Sequence, residues 1–334
     1  MSRAADVRPR SSGGISADDL EFVILAAGKS TRNYPHSKGL PHKSLLPLGS
    51  VKIIDRIMRE PIEAGVKNIT IVVSAPEAKE AFEYAFAREP RIEDKFEKSG
   101  NKVGLELLKS LALPDDVRVR YVIQKEAKGA GHAIGLAAAA NPGRHLVVRY
   151  PDDILGSRHV RRNIKPFVSR LIEKYIADGA GGNLFAVRKV ADPSRWGIIE
   201  DGRFFEKPAR TKSRDASVVA CIFDKGFAGV LAAAAACSDK KGTEESRAWE
   251  SGRELHFAGY INDFIDANPG MEIRTFPLGR DDIYHDGGTL EGYEEAIIYT
   301  LLHESRFARH NRKVAKAQFG LRKWLSQYGP LRRH

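Results

Sequence analysis

A short apolar run that ends at a glycine constrains the fold of this chain more than any other segment. Residues 22–27 read FVILAA without a polar side chain, and Gly28 follows directly. An apolar run of this length, bounded by a turn residue, is typical of a strand buried on both faces in a parallel sheet. Parallel strands are joined by crossovers that usually contain a helix, so the rest of the chain should alternate strand and helix.

The residues that follow do alternate in this way. The predicted elements are a helix over 51–64, a strand over 68–74, a helix over 76–88, a strand over 117–124, a helix over 130–140 and a strand over 145–150. A charged insertion at 90–116, which we expect to be helical, interrupts the series. The alternation predicts a doubly wound α/β sheet with right-handed crossovers, whose ligands bind beyond the carboxyl ends of the strands.

The second half of the chain is predicted to contain mainly short strands. After a predicted helix over 160–176, short strand candidates lie at 184–187, 197–199, 203–205 and 218–223, and Asp201-Gly202 is a hairpin turn signal. We therefore predict an α/β fold: a Rossmann-like doubly wound mixed sheet with a smaller antiparallel β part and a C-terminal helix. The expected organisation is a flexible leader over 1–20, a main domain over 21–303 and a basic helical tail over 304–334.

The positive charge of the chain is concentrated in this tail. Residues 303–334 contain nine Lys or Arg and one acid, so +8 of the net charge of +11 lies there. The rest is nearly neutral, and we expect no nucleic-acid partner. Apolar residues recur in the tail at helical spacings, at Phe307, Val314, Leu321, Leu325 and Tyr328. We expect this helix to pack between subunits of a homo-oligomer, with a membrane-surface contact or a solvated helix as alternatives.

Two further observations bear on the cellular compartment. No stretch approaches the ~18 uninterrupted apolar residues of a membrane span, and the first twenty residues carry three Asp and no apolar block, unlike a signal peptide. Cys221 and Cys237 match no metal or redox spacing, so we expect reduced structural thiols. A cytoplasmic protein is the expectation.

The loop after the first strand carries residues suited to binding phosphate. Arg32, Lys38 and Lys43 supply cations, and small residues beside Gly28 let backbone N–H groups approach phosphate oxygens. Gly28-Lys29-Ser30 invites comparison with a P-loop, but the first glycine of that motif would fall at Val23, inside the strand. A solvated basic loop is the alternative interpretation.

Five segments, in this order, resemble the sugar-1-phosphate nucleotidyltransferases, most closely the bacterial UTP–glucose-1-phosphate uridylyltransferases. The first is this loop, where the family's Pro-Lys pair is split as Pro41-His42-Lys43, so Lys43 takes the family position only with a one-residue insertion. The others are 124–133 (QKEAKGAGHA), 150–155 (YPDDIL), 196–199 (WGII) with 205–208 (FEKP), and 285–288 (HDGG) followed by Tyr293. The resemblance extends from residue 22 to about residue 303.

The resemblance implies a role for each motif. It implies nucleotide binding by Ala26, Ala27, Gly28, Gln124 and Gly129, with the last two at the pyrimidine. It implies catalytic roles for Arg32, Lys43 and Lys207 and sugar binding by Gly197, Glu206, Lys207 and Glu254. It implies Mg²⁺ ligands at Asp152 and Asp286. Residues 21–155 would form the nucleotide-binding half and 156–303 the sugar-binding half.

The implied reaction transfers a nucleoside monophosphate from a nucleoside triphosphate to a sugar 1-phosphate and releases pyrophosphate. The resemblance implies UTP as the triphosphate and glucose 1-phosphate as the acceptor. Both substrates are polyanions, so Mg²⁺ and cationic side chains must bring them together. Thymidylyl or cytidylyl transfer to a related sugar phosphate is one alternative. A catalytically silent nucleotide-sugar-binding protein on the same fold is another, and the presence of Arg32, Asp152, Lys207 and Asp286 argues against it.

Several positions also have simpler interpretations or depart from the family pattern. Asp152-Asp153 could be a strand-end turn, and 206–208 the solvated end of an edge strand. We expect His132 and His285 to be hydrogen-bonded structural residues, and Gly287-Gly288 could be a turn before a helix capped by Thr289. Ala220 stands where a sugar-contacting glycine is expected, and Gly259 where an aspartate is expected. Nucleotidyl transfer is therefore better supported than glucose as the acceptor.

Overall fold

The computed structural model describes residues 14–157, 165–179, 182–241, 243–246 and 254–303. The predicted tail helix, the first part of the leader and the start of the helix predicted over 160–176 lie outside these ranges. Subunit packing by the tail therefore stays a prediction. Within the ranges described, no helix is long and apolar enough to cross a membrane.

The first half of the chain contains the predicted alternation. Its elements are β1 (Leu20–Ala26), β2 (Pro47–Leu48), β3 (Val51–Lys52), α1 (Ile53–Glu63), β4 (Asn68–Val73), α2 (Pro76–Phe86), α3 (Pro90–Lys98), α4 (Lys102–Leu111), β5 (Arg118–Ile123), α5 (Ala130–Ala140) and β6 (His145–Arg149). Strand β1 pairs in parallel with β4 on one side and β6 on the other, and β5 pairs with β4. The strand order therefore reverses between β1 and β6, which confirms the doubly wound arrangement.

The second half adds antiparallel strands to the same sheet. Its elements are β7 (Asp153–Ser157), α6 (Phe167–Ala177), β8 (Asn183–Lys189), β9 (Gly197–Glu200), β10 (Arg203–Glu206), β11 (Asp215–Phe223), α7 (Lys225–Ser238), α8 (Phe257–Ala267), β12 (Ile273–Pro277), β13 (Asp282–Asp286) and α9 (Leu290–His303). Strand β11 pairs with β6, β8 and β9, so the two halves share one sheet. Strands β7 and β13 form a separate antiparallel pair.

Strand β11 is irregular where it passes the end of β6. Its register with β8 shifts between Ser217 and Cys221, and Val219 between them has a left-handed φ of 65°. A non-glycine residue with positive φ is uncommon and is held by its surroundings. Here Val219 O accepts a 3.0 Å bond from Tyr150 N, so the irregularity joins β11 to the residues that follow β6.

Helices cover both faces of the sheet, which is why β1 is apolar from Phe22 to its end at Ala26. Phe22 and Ile24 point into a core with α1, α2, α6 and α9, whereas Val23 points into a second core with α5, α7 and α8. Successive side chains of a strand point to opposite faces, so a strand covered on both sides has no solvated position. Helix α5 packs closely on α7, since a Cβ at Gly135 would collide with the Leu231 carbonyl.

Some boundaries differ from the predictions. Strand β1 begins at Leu20, after a 3₁₀ turn over Ala17–Asp19 and two residues before the apolar run at 22–27. The turn is capped because Ser16 N and Oγ both donate to Asp19 Oδ2 at 2.9 Å. Helix α1 begins at Ile53 because the two residues before it pair with β2. Strands β7, β12 and β13 were not predicted.

A buried ion pair joins α1 to the end of β6. Arg149 is 1% exposed and Glu60 is 6% exposed. Arg149 Nε lies 2.9 Å from Glu60 Oε2, and Nη2 lies 3.2 Å from Oε1. Burial raises the pKa of Glu60, and the charge of Arg149 partly offsets this. Arg149 Nη2 also donates to Asp153 O at 2.8 Å, so the pair supports the turn between β6 and β7.

We expect Glu60→Gln to lower the free energy of unfolding by about 3 kcal/mol, because it leaves the Arg149 charge buried without a counter-ion. Urea unfolding would measure the change. Asp94→Asn is the matched control, because Asp94 and Lys98 also form an ion pair, at 2.6 Å, but their side chains are 57% and 75% exposed. That substitution should cost less than about 1 kcal/mol. Equal costs in the two variants would contradict a structural role for the buried pair.

Candidate active site

A cleft of about 510 Å³ opens beyond the carboxyl ends of β1, β5 and β6. Its walls include residues that directly follow these strands: Ala27 and Gly28 after β1, Gln124 after β5, and Tyr150, Pro151 and Asp152 after β6. The cleft lies where the strand order reverses between β1 and β6. This is the location at which a doubly wound sheet leaves room for a ligand.

The cleft brings together many of the site residues predicted from the sequence. They are Ala27, Gly28, Lys43, Gln124, Gly129, Asp152 and Glu254. Ala26 lies just inside, fully buried as the last residue of β1. Lys29, His42 and Tyr150 also line the cleft and were not nominated. Two sequence features could have pointed to the first two residues: Lys29 lies in the GKS sequence, and His42 splits the Pro-Lys pair.

Two cations face Asp152 at one end of the cleft. Lys43 Nζ lies 2.6 Å from Asp152 Oδ2, and Arg32 Nη2 lies 3.7 Å from the same oxygen. The Lys43 side chain is 11% exposed, whereas that of Arg32 is 67% exposed. Burial alone would raise the pKa of Asp152, but the Lys43 ammonium holds it below its ordinary value. Asp152 is therefore ionised, with one cation fixed beside it and another reaching from solvent.

His42, the residue that splits the Pro-Lys pair, positions Lys43. Its ring is 1% exposed, and Nδ1 accepts a 3.2 Å bond from Ser44 N, which caps the 3₁₀ turn over Lys43–Leu45. Burial and the charge of Lys43 lower the pKa of His42 to about 3, so the ring is neutral and Nδ1 is free to accept. Lys43 N donates to Ser30 Oγ at 3.1 Å. His42 therefore caps the turn that carries Lys43.

Asp286 reaches the same place through the pairing of β13 with β7. In this register Asp286 lies opposite Asp153, next to Asp152. A Cβ at Gly288 would lie 2.8 Å from Asp152 Oδ2 and 2.9 Å from Asp286 Oδ1. The two carboxylates therefore face one small volume, which is open because residue 288 has no side chain. Gly288 N also donates to Asp286 Oδ1 at 3.0 Å.

Asn33 joins the loop of Arg32 to the loop of Asp286. It is fully buried, and its Nδ2 donates to Gly287 O at 2.8 Å and to Thr289 O at 3.3 Å. Arg32 Nη2 consequently lies 3.2 Å from the Cβ position at Gly288. Nothing in the sequence marked Asn33 for this role.

The segment 287–289 is also the turn before α9, as the simpler interpretation proposed. Thr289 Oγ1 accepts a 3.2 Å bond from Gly292 N in the first turn of that helix. The two interpretations are compatible, because the turn that starts α9 is the one that faces the carboxylates.

Asp153 has a different role from its neighbour. Its Oδ2 accepts a 2.5 Å bond from Val219 N, and its Oδ1 accepts a 2.6 Å bond from the Tyr284 hydroxyl. Burial, together with the negative charge of Asp152, raises the pKa of Asp153 to about 6. Both oxygens are engaged in joining β7, β11 and β13, so Asp153 acts within the scaffold.

The other nominated sugar-site residues form a second group on the β9–β10 hairpin. Gly197 pairs with Glu206, and Lys207 N donates to Trp196 O at 2.9 Å. The Lys207 side chain is 65% exposed, and its Nζ lies 3.9 Å from Glu206 Oε1. Gly197, Glu206 and Lys207 are not among the residues that line the cleft.

Glu254 and Ala220 do not lie on the β9–β10 hairpin. A Cβ at Gly129 would be 2.9 Å from Glu254 Cβ, so Glu254 stands at the Gln124 side of the cleft, and its contact with a sugar stays a prediction. Ala220 is fully buried, and its methyl packs within the core. The two histidines have structural surroundings. His132 bonds Gln124 and Asp239, and His285 packs against Tyr299 with ring centroids 5.5 Å apart.

Comparisons with known proteins match the chain over most of its length. The family model described as Nucleotidyl transferase matches residues 21–296. The UTP–glucose-1-phosphate uridylyltransferase of Bacillus subtilis (strain 168) is 31% identical over 200 residues, which cover 56% of this chain and 64% of that protein. The chain thus spans less than two thirds of the length of that curated relative.

Solved structures share the fold. A UTP-bound UGPase from Acinetobacter baumannii has a TM-score of 0.69 at 19% identity, covering 89% of this chain and 98% of that one. A putative glucose-1-phosphate thymidylyltransferase from Bacillus anthracis, in complex with a sucrose, has a TM-score of 0.58 at 19% identity, covering 83% and 94%. At this level of identity the likeness establishes the architecture described above.

We expect the raised pKa of Asp153 to make the native state less stable as pH rises. The folded carboxyl, with its pKa raised to about 6, holds its proton up to about pH 6, whereas the unfolded one loses it near its ordinary pKa of 3.8. Stability from this group is therefore present below about pH 4 and lost by about pH 6. In Asp153→Asn the Asn can accept from Val219 N and donate to Tyr284 without ionising.

Urea unfolding of both proteins in EDTA at pH 4.5 and 7.5 measures the effect. Relative to wild type, Asp153→Asn should gain on the order of 2–3 kcal/mol of unfolding free energy between these pH values. A difference that does not change with pH would contradict the assignment.

Proposed function

The chain belongs to the nucleotidyl transferase family, as its sequence motifs predicted, and from this premise we propose that it transfers uridylate from UTP to glucose 1-phosphate, releasing pyrophosphate. The observation that carries the proposal is the convergence of Arg32, Lys43, Asp152 and Asp286 at one end of a cleft that has Gln124 at its other side. Charged groups at one end suit a triphosphate, and a neutral amide at the other suits a base.

Small residues and cations would hold the nucleotide. Ala27 and Gly28 leave the backbone after β1 open to the ligand, and no heavy atom lies within 4 Å of a Cβ placed at Gly28. Lys43 has three donor hydrogens, so it can bond Asp152 and a phosphate oxygen together. Arg32, mostly exposed, can turn toward the triphosphate. Gln124 and Gly129 would contact the pyrimidine.

The two carboxylates fit a divalent cation, which we propose to be Mg²⁺. Asp152 and Asp286 present oxygens to one open volume at Gly288, which is a cradle that any side chain would fill. Across the described ranges, no cluster of three or more His, Cys, Asp or Glu could hold a metal unaided. Mg²⁺ typically takes one or two carboxylates and completes its shell with substrate phosphates and water, so this donor set suits it.

The reaction follows from these positions. An oxygen of the sugar phosphate forms a bond to the α-phosphorus of UTP, and the bond from that phosphorus to the bridging β-phosphate oxygen breaks. Pyrophosphate leaves with the electron pair of the broken bond. The attacking phosphate is already a dianion, so no general base is required. When bound, the cation neutralises charge on the phosphate oxygens. Arg32 and Lys43 neutralise further charge and orient the triphosphate.

Lys207 would hold the phosphate of the sugar. It directly follows β10 in a left-handed conformation with φ of 45°, and its ammonium is exposed. Gly197 and Glu206 lie beside it on the same hairpin and would contact the sugar, as would Glu254, which lines the cleft. The choice of glucose rests on the named relative, whereas the phosphate contact rests on the charge of Lys207.

A panel assay of pyrophosphate release tests the function. Crossing UTP, dTTP, CTP, ATP and GTP with hexose 1-phosphates, we expect UTP with glucose 1-phosphate to give the highest kcat/KM. Because uracil and thymine differ by one methyl group, worth about 1–3 kcal/mol in a pocket, dTTP should be detectable. ATP and GTP should be poor. Preference for a purine, or no release with any pair, would refute the proposal.

Gly288→Ala tests the cation site. The added methyl would lie within 3 Å of an oxygen of each carboxylate, so it should weaken Mn²⁺ binding in the presence of UTP, measured by electron paramagnetic resonance. It should also lower kcat at limiting Mg²⁺ by about two orders of magnitude. Asp152→Asn and Asp286→Asn should cost at least as much.

Gly229→Ala is the matched control, because a Cβ there meets no atom within 4 Å. It should leave both readouts unchanged. Normal turnover of Gly288→Ala at limiting Mg²⁺ would show that the two carboxylates do not share a cation.

A further inference from the structure

The side-chain amide of Gln124 has a fixed orientation. Its Nε2 lies 3.1 Å from the Gly129 carbonyl oxygen and 3.1 Å from His132 Nδ1. A backbone carbonyl only accepts hydrogen bonds, so the amide atom that faces it must be the NH₂ group. Each amide hydrogen therefore has its own acceptor. The remaining polar atom of Gln124, the carbonyl oxygen, belongs to a residue that lines the cleft.

This orientation determines the tautomer of His132. Nδ1 accepts from Gln124, so the single ring proton must be on Nε2, which lies 3.2 Å from Asp239 Oδ1. His132 is 3% exposed, and burial lowers its pKa even though the Asp239 carboxylate opposes that shift. The ring is therefore neutral. Asp239 accepts the ring proton and keeps Nδ1 available as an acceptor.

A buried lysine anchors Asp239 in turn. Lys128 Nζ lies 2.6 Å from Asp239 Oδ1 and 3.0 Å from Ser238 O, and its side chain is 8% exposed. Burial would raise the pKa of Asp239, but its bonds to Lys128 and His132 lower it. Lys128 directly precedes Gly129, the other acceptor of the Gln124 amide. The hydrogen bonds therefore form a closed loop that runs from Gln124 through His132, Asp239 and Lys128 and returns to Gln124 through the carbonyl of Gly129.

We propose that His132, Asp239 and Lys128 form a positioning network that presents the carbonyl oxygen of Gln124, and not its NH₂ group, to the nucleotide base. The proposal rests on the proposed function, because it assumes that a base lies beside Gln124. A carbonyl oxygen accepts the N3–H of uracil or thymine. Cytosine in the same pose offers an acceptor at N3, which leaves both atoms without a donor.

The network thus selects UTP over CTP through residues that need not touch the nucleotide. It does not separate uracil from thymine, because both carry a proton at N3. In substrate recognition a polar mismatch of this kind discriminates more strongly than a missing methyl group.

Asp239→Ala tests the network. Without this acceptor the His132 proton can move to Nδ1 and donate to Gln124. Only the Gly129 carbonyl then still holds the NH₂ group in place, so the orientation of the amide is less strongly fixed. We expect the UTP-to-CTP ratio of kcat/KM to fall about tenfold or more, mainly through KM for UTP. Asp239→Asn retains a carbonyl oxygen that can accept from His132 and should restore the ratio. Asp239 is 48% exposed, so both variants should fold.

His145→Ala is the control for loss of a buried imidazole. His145 is 4% exposed and its Nδ1 lies 2.9 Å from the Tyr175 hydroxyl, at the opposite end of β6. It should lower stability and leave the ratio unchanged. ¹⁵N NMR of the ring nitrogens should show the Nε2–H tautomer of His132 in wild type and a shift toward Nδ1–H in Asp239→Ala.

Equilibrium binding of UTP and CTP separates this proposal from the function. UTP-selective binding without pyrophosphate release would overturn the transfer reaction and leave the network supported. Equal binding of UTP and CTP by wild type, or a ratio unchanged in Asp239→Ala, would overturn the network alone. Binding of neither nucleotide would overturn both.

Discussion

A buried guanidinium at the end of β6 holds the candidate site together. Arg149 bonds Glu60 on α1, Asp153 O at the start of β7, and Val219 O in the irregular part of β11. These segments come from different parts of the chain, and the turn that carries Asp152 lies between them. Because water is excluded there, an unpaired carbonyl would cost several times the net value of an exposed hydrogen bond. The turn therefore has one low-energy arrangement, and the position of Asp152 follows from it.

The charged end of the cleft depends on that turn. Asp152 carries a negative charge with Lys43 and Arg32 beside it, and Asp286 is added by the pairing of β13 with β7. Two carboxylates facing one volume repel each other unless cations lie close, and here two basic side chains provide the compensation. On the proposed function, a triphosphate with a bound divalent cation would exchange ionic partners within this set, so its negative charge would always have cations beside it. The same balance explains why Gly288 carries no side chain, since any Cβ would fill the shared volume.

The parts of this architecture that the sequence predicted are those encoded locally. The apolar run of β1 and the helix over Ala130–Ala140 follow from patterns within a dozen residues, and several of the cleft residues directly follow predicted strands. Strands β7 and β13 read DILGS and DIYHD, with no alternation to reveal them, and their pairing joins distant segments. His132 and Asp239 are 107 residues apart, so only the fold shows that they meet. Local patterns therefore located the cleft, and tertiary contacts supplied the residues that orient its side chains.

The base side of the cleft depends on packing between helices. On the network proposed above, the orientation of Gln124 requires Asp239, directly after α7, to stay within hydrogen-bond distance of His132 on α5. The separation of these helices is limited by Gly135, where a Cβ would meet the Leu231 carbonyl and Ala235 Cβ. A larger residue there would push α7 away and lengthen the 3.2 Å bond between the imidazole and the carboxylate. The proposed selection of the base is thus linked to a helix contact in the core, and the proposed chemistry at Asp152 is linked separately to Arg149.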